Sequence, residues 1–144
     1  MAGEGLTGNY RVRVIKPALR KVYKIFRRRG DQMELRAQAL KLRYWPAREV
    51  LDDHGQLIDL DWCWIASLKG HRIGELRISD RIGGHENLRV IFYQGDKEVC
   101  EPLPMIWVLD VLAKKRDYFT SNELAIFEAR RTLVIERFYK NRDT

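Results

Sequence analysis

The sequence predicts an α+β sandwich, one sheet with helices packed against it, on three observations. Residues 73–116 hold three apolar runs of strand length, IGELRIS, LRVIFYQ and MIWVLDVLA, separated by two turn-like segments. Residues 10–15 alternate as Tyr10-Arg-Val-Arg-Val-Ile15, the period of a half-buried strand. Thr120-Ser-Asn-Glu123 has the form of a capping box and opens an amphipathic run. The predicted sheet is antiparallel, an N-terminal strand plus a three-stranded meander, and a C-terminal helix closes the chain.

At 144 residues the chain has the length of one domain, 1–144, with a single core. A content of 45% apolar and 10% aromatic residues is that of a globular protein and excludes global disorder. No apolar run reaches the length of a membrane span, and MAGEGLTGNY has no cationic-then-apolar pattern of a secretion signal. A cytoplasmic protein without membrane partners is the expectation. Cys63 and Cys100 lack metal-ligand spacing and read as free buried thiols. The net charge of +7 is uneven. Residues 1–52 carry 13 Lys/Arg against 5 Asp/Glu, whereas residues 53–144 carry 14 against 15. Such an N-terminal excess favours a polyanion or an acidic protein partner.

Taken in order, residues 1–8 are small, Gly-rich and read as a loose terminus. Residues 9–72 hold the first strand and the helices. Pro17 suits a first helical turn, Leu19, Val22, Tyr23 and Phe26 follow at helical spacing, and Gly30 is expected to stop the run. Arg27, Arg28 and Arg29 would then occupy the last turn, facing the negative end of the dipole. Asp31 is placed as the cap of a second helix through Leu35, Ala39, Leu42 and Trp45, ended by Pro46. A short helical piece is expected over Ala47 to Leu51, before a turn at Asp53-His54-Gly55. Residues 57–69 fit a strand or a helix; Asp59 or Asp61 as cap, Ala66 inside and Gly70 at the end favour helix. Trp62 and Trp64 read as core. The meander occupies 73–115, with Gly83-Gly84 and Gly95-Asp96 as its turns. The last helix covers 120–140, with Leu124, Phe127, Val134 and Phe138 on one face.

The chain has no phosphate-binding Gly-rich loop, no HExxH, no cysteine cluster and no nucleophile elbow around Ser67, Ser79 or Ser121. His54, His71 and His85 are scattered. No metal and no cofactor is called for. What remains is cationic. Arg77 and Arg89 interrupt two apolar strands, and the third ends in Lys114-Lys115-Arg116, with Tyr93 and Tyr118 nearby in sequence. Burying a guanidinium unpaired is costly, so these cations belong on an open face or beside a carboxylate, Glu75 or Asp110. Arginine and lysine together suit cleavage of RNA by its own 2′-hydroxyl. They neutralise the pentavalent phosphorane, while a histidine or tyrosine moves protons.

Gly74-Glu-Leu-Arg77, Asn87-Leu-Arg-Val-Ile-Phe-Tyr93, Ile106 to Lys115 and a final helix rich in Glu, Ala and Arg occur in the order of known toxins. That pattern resembles the RelE/ParE/HigB superfamily of toxin–antitoxin toxins, nearest to its HigB-like, phage Gp49-type branch, over residues 73–140. The resemblance implies a RelE-like fold and a translation-arresting endoribonuclease that cuts mRNA on the ribosome. It also implies a cognate antitoxin, acidic or helix-turn-helix, that covers the basic surface. Members like ParE poison gyrase instead, and a catalytically degenerate binding protein is a third reading. By position the resemblance makes Arg77, Arg89, Lys114 and Lys115 catalytic, with Arg89 holding the scissile phosphate; Tyr93, Tyr118, His71 and His85 are the candidates to stand in for the family's proton-carrying tyrosine. Arg27, Arg28, Arg29, Arg81 and Arg116 are the expected RNA contacts. Two departures stand out. Ile73 and Glu75 occupy positions where RelE-type enzymes carry lysines, and Ile126 or Phe127 falls where they carry a tyrosine.

Overall fold

The computed structural model describes residues 10–95 and 104–139. The chain runs β1 (Arg11–Val14), α1 (Lys16–Ile25), α2 (Arg29–Ala39), a 3₁₀ turn (Leu40–Tyr44), β2 (Glu49–Leu51), β3 (Leu57–Asp59) and β4 (Asp61–Trp64). After a 3₁₀ turn (Ala66–Leu68) come β5 (Ile73–Ile78), β6 (Leu88–Gln94), β7 (Met105–Ala113) and α3 (Ser121–Val134), which ends in a π-helical turn (Ile135–Tyr139). The expected α+β class is found. Residues 1–8, the turn at Asp96 and Cys100 lie outside the described residues. No helix among the described residues is long and apolar enough to cross a membrane.

Five strands form one sheet in the order β1-β7-β6-β5-β4, and β2 and β3 form a separate hairpin. The predicted meander is β5-β6-β7, antiparallel throughout. Gly83 and Gly84 turn its first corner at φ +58° and +82°, as a left-handed turn demands. The sheet is mixed rather than antiparallel, because β1 lies parallel to β7. The intervening α1 and α2 supply the crossover that a parallel partner requires.

Four local expectations are overturned. Within 57–69, residues 57–59 and 61–64 are strand rather than α-helix, and Ala66–Leu68 is a single 3₁₀ turn. Asp61 to Trp64 pair with Arg77 to Gly74, which satisfies the outer edge of β5 that a helix would have left open. Asp52 accepts from the amides of His54 and Gln56 at 2.9 and 2.8 Å, closing the β2–β3 turn, so 49–51 is likewise strand and not helix. Nor does Gly30 stop the first helix; it sits in the first turn of α2. The break comes earlier, where Phe26 turns to an extended conformation and buries its ring. Its freed carbonyl accepts from the Gln32 amide nitrogen at 2.7 Å. Arg28, not Asp31, holds the N-cap position of α2, and Asp31 lies in the first turn.

Two cores lie on opposite sides of the sheet. One packs α1 and α2 against Leu76, Ile78, Leu88, Val90, Phe92 and Val108. The other packs α3 against Ile73, Ile91, Tyr93, Trp107 and Leu112. Side chains alternate between the two along β5 and β6, and along β7 on either side of its irregularity at Leu109–Asp110. Trp62 is core as expected, whereas Trp64 stays 40% exposed with the Arg72 guanidinium 5.1 Å from its ring. Gly74 sits beneath the Phe92 ring, and a Cβ there would lie 2.5 Å from Phe92 Cζ and 3.0 Å from the Cys63 carbonyl. The capping box is formed: Glu123 N donates to Thr120 Oγ1 at 3.1 Å, and Thr120 N to Glu123 Oε1 at 2.7 Å.

These contacts set an order of stability losses readable by urea unfolding. Thr120→Ala removes one cap and is expected to cost about 1 kcal/mol. Gly74→Ala forces Phe92 aside and is expected to cost more, about 1–3 kcal/mol. A neutral Gly74→Ala would show that the strand-to-ring contact is looser than described.

Candidate functional site

The register of β5 and β6 decides where the sequence-predicted cations fall. Arg77 and Arg89 are direct Cα partners, so both project from the same face of the sheet. Glu75 precedes Arg77 by two residues and shares that face. Lys114 follows Leu112, the partner of Arg89, by two residues and projects the same way. Arg77, Arg89 and Lys114 therefore converge, beside the core that α3 covers.

They converge on a carboxylate. Glu75 is only 4% exposed, and Arg89 Nε donates to its Oε1 at 3.1 Å. Arg77 Nε stands 3.7 Å from the same oxygen, and Lys114 Nζ stands 3.9 Å from Oε2. A lone buried carboxylate would cost several kcal/mol (roughly), which three flanking cations offset. The side chains of Arg89 and Lys114 are 16% and 12% exposed, while that of Arg77 is 49% exposed. Arg89 also donates to the Leu88 carbonyl at 3.1 Å, and Lys114 Nζ lies 4.4 Å from the Phe119 ring centre. Arg89 and Lys114 are thus held in place, and Arg77 is the member that meets solvent.

The strand pairing brings in two residues that sequence reasoning passed over. Cys63 on β4 is the partner of Glu75, and Asp61 the partner of Arg77. Reading 57–69 as strand would have found both. Cys63 is half-buried with a free thiol. Burial pushes its pKa above the usual thiol value; the Glu75 and Asp61 charges push the same way, and Arg77 and Lys114 partly oppose them.

Other expected site residues lie elsewhere. Tyr93 is on the correct face but four residues beyond Arg89, about 13 Å along the strand. It is buried opposite Trp107, with the Arg131 guanidinium 5.1 Å from its ring. Lys115 and Arg116 are exposed beyond the end of β7. Arg81 lies in the β5–β6 turn, 3.6 Å from Glu86, with both side chains exposed. Arg27, Arg28 and Arg29 belong to the α1–α2 connection, on the opposite side of the sheet from the cluster. They do not cap the end of α1; Arg28 and Arg29 instead open α2, where the dipole is positive and Asp31 compensates. His85 stacks edge-on against Phe26, again on the far side. Tyr118 is 64% exposed and adjoins Phe119 in sequence.

Asp110, the other buried charged residue among the described ones, anchors a second network. Lys21 from α1 and Arg130 from α3 each reach its Oδ1 at 3.1 Å. Arg130 also donates to the Leu109 carbonyl at 2.8 Å. Asp110 sits at the irregularity between β6 and β7, just past the end of β1, where helices from both faces can approach the strand edge. Arg77 accordingly pairs with Glu75 and not with Asp110. Among the described residues no group of three or more His, Cys, Asp or Glu side chains converges as a metal site would.

Compared with protein-family models, curated proteins and solved structures, the chain matches none.

Two outcomes test this geometry. Cys63 is expected to react with iodoacetamide more slowly than a free thiol at pH 8, read by peptide-resolved mass spectrometry, and to speed up in Glu75→Gln, which removes a charge that raises its pKa. Asp110→Ala strands Lys21 and Arg130 and is expected to lower stability by on the order of 3 kcal/mol in urea unfolding. A loss under about 0.5 kcal/mol would reduce that network to a surface ion pair.

Proposed function

We propose that the Arg77–Arg89–Lys114 cluster holds an RNA phosphate, and that the protein is a RelE-like toxin, an endoribonuclease that cuts mRNA on the ribosome and is neutralised by a cognate antitoxin. The observation that carries this reading is the direct register pairing of Arg77 with Arg89, with Lys114 reaching the same carboxylate. Three cations against Glu75 leave a positive residue of charge on a face where Arg77 is solvent-accessible.

The chemistry follows from that arrangement. The 2′-hydroxyl attacks the adjacent phosphorus, the P–O5′ bond breaks, and a 2′,3′-cyclic phosphate and a 5′-hydroxyl result. Negative charge builds on the non-bridging oxygens, which the guanidinium groups of Arg77 and Arg89 would stabilise. Arg77 has the longest contact to Glu75 of the two arginines and the greatest exposure, so it is the one that turns to an incoming phosphate. The proton leaving the 2′-hydroxyl goes to a base, for which Glu75 is the candidate within the cluster, and the departing oxygen takes one from Tyr118 or water. The charge stabilisation in this scheme comes from the side chains themselves.

Glu75 favours a second reading, a binding protein with this fold that has no cleavage activity. Its carboxylate already neutralises part of the cluster, and Arg89 and Lys114 are largely withdrawn from solvent.

Expression in bacteria and a purified translation reaction separate the readings. The toxin reading predicts growth arrest, a fall in protein synthesis with DNA synthesis spared, and mRNA cut only when ribosomes are present. Arg77→Ala, at a half-exposed position that leaves the fold intact, is expected to reduce cutting by about 10²–10³. Undiminished cutting by Arg77→Ala would remove the cluster from the reaction. Salt-dependent RNA binding without any cutting by the wild type would establish the binding reading. A selective fall in DNA synthesis would point to gyrase.

A further inference from the structure

On the side of the sheet away from Glu75, α1 and α2 do not close over β1 and β7. A groove of about 690 Å³ runs between them. Val14, Leu19, Tyr23, Met33 and Leu40 line it and remain exposed, Tyr23 by 53% and Met33 by 60%. Apolar side chains left in water together, rather than singly, mark a contact surface. Leu19 and Tyr23 are four residues apart on α1, and Met33 and Leu40 seven apart from α2 into its 3₁₀ extension, so each helix presents a ridge. Two such ridges with Val14 of β1 between them form a trough of the kind into which a third helix packs.

Among the described residues the charged side chains lining the trough are Arg27, Arg29 and Arg36, and no carboxylate lines it. Two copies of this chain would set arginine against arginine there, which disfavours a self-dimer. Residues 1–9 bring only Met1 and Leu6 as large apolar side chains, too few to cover it. We infer that this groove docks an amphipathic helix of a separate protein, with an apolar stripe for Leu19, Tyr23, Met33 and Leu40 and carboxylates on its flanks for Arg27, Arg29 and Arg36. Leu76, Leu88 and Val90 face this side, whereas Glu75, Arg77 and Arg89 face the other. The bound helix therefore leaves the cation cluster uncovered. The inference is independent of the nuclease reading and survives its failure.

A displayed library of helical peptides of about 18 residues, some five turns, selected against the full chain tests it. Binders are counter-selected against Met33→Glu, an exposed change whose fold is checked by its melting curve. The expected winners carry a Leu-like stripe flanked by Asp and Glu. They lose affinity by about tenfold or more with Met33→Glu, and weaken with Arg29→Glu and with added salt. Binders indifferent to Met33→Glu, winners with basic flanks, or no enrichment over the counter-selected protein would overturn the inference. So would a dimer in sedimentation that Met33→Glu dissolves, or binding that appears only after residues 1–8 are deleted.

Discussion

A carboxylate buried in a sheet must be neutralised where it lies, and that requirement at Glu75 organises the working face of this protein. Arg89 meets it at 3.1 Å, while Arg77 and Lys114 stand at 3.7 and 3.9 Å. The three cations come from three adjacent strands, so the ion cluster also ties β5, β6 and the end of β7 together. Each strand is apolar elsewhere on this face, through Ile73, Ile91 and Leu112. Without the carboxylate, two guanidinium groups at directly opposed positions would repel across about 5 Å, as like charges do in cross-strand pairs. With it, the arginines are spaced and aimed. The same residue that distinguishes this chain from the lysine-rich pattern of RelE-type enzymes is what makes its cation cluster a stable arrangement.

Much of this was legible in the sequence where the signal is local. The runs IGELRI, LRVIFYQ and MIWVLDVLA are long and apolar, and the β5-β6-β7 meander follows them closely. The capping box at Thr120 is a short-range hydrogen-bond pattern and appears as read. Antiparallel pairing makes Arg77 and Arg89 neighbours, and the register, which the sequence does not fix, sets them on one face. What failed depended on distant partners. Residues 61–64 have weak periodicity, and they become strand because the edge of β5 needs them. Gly30 reads as a stop that would set the Arg27–Arg29 triplet at the end of a helix, but burial of Phe26 ends that helix first. Tyr93 shares a strand and a face with Arg89, yet distance along the strand removes it from the cluster. A parallel pairing of β1 with β7 cannot be read from either strand by itself.

The molecule divides its surface by the alternation of its strands. One face carries paired charge around Glu75 and a long helix held by its cap. The other carries an apolar trough edged with arginine between two shorter helices. Asp110 connects the two sides, since Lys21 and Arg130 reach it from α1 and α3. A small domain thereby offers two chemically distinct surfaces without either obstructing the other.

The coupling between Glu75 and Arg89 is the quantity on which the account rests, and a double-mutant cycle measures it directly. Urea unfolding of the wild type, Glu75→Gln, Arg89→Gln and the double variant yields that term. The account predicts that the double variant loses clearly less than the sum of the single losses, with a coupling on the order of 1–3 kcal/mol. Additive losses, within about 0.3 kcal/mol, would mean that the carboxylate and the guanidinium act independently and that the cluster is not the organising feature of this face.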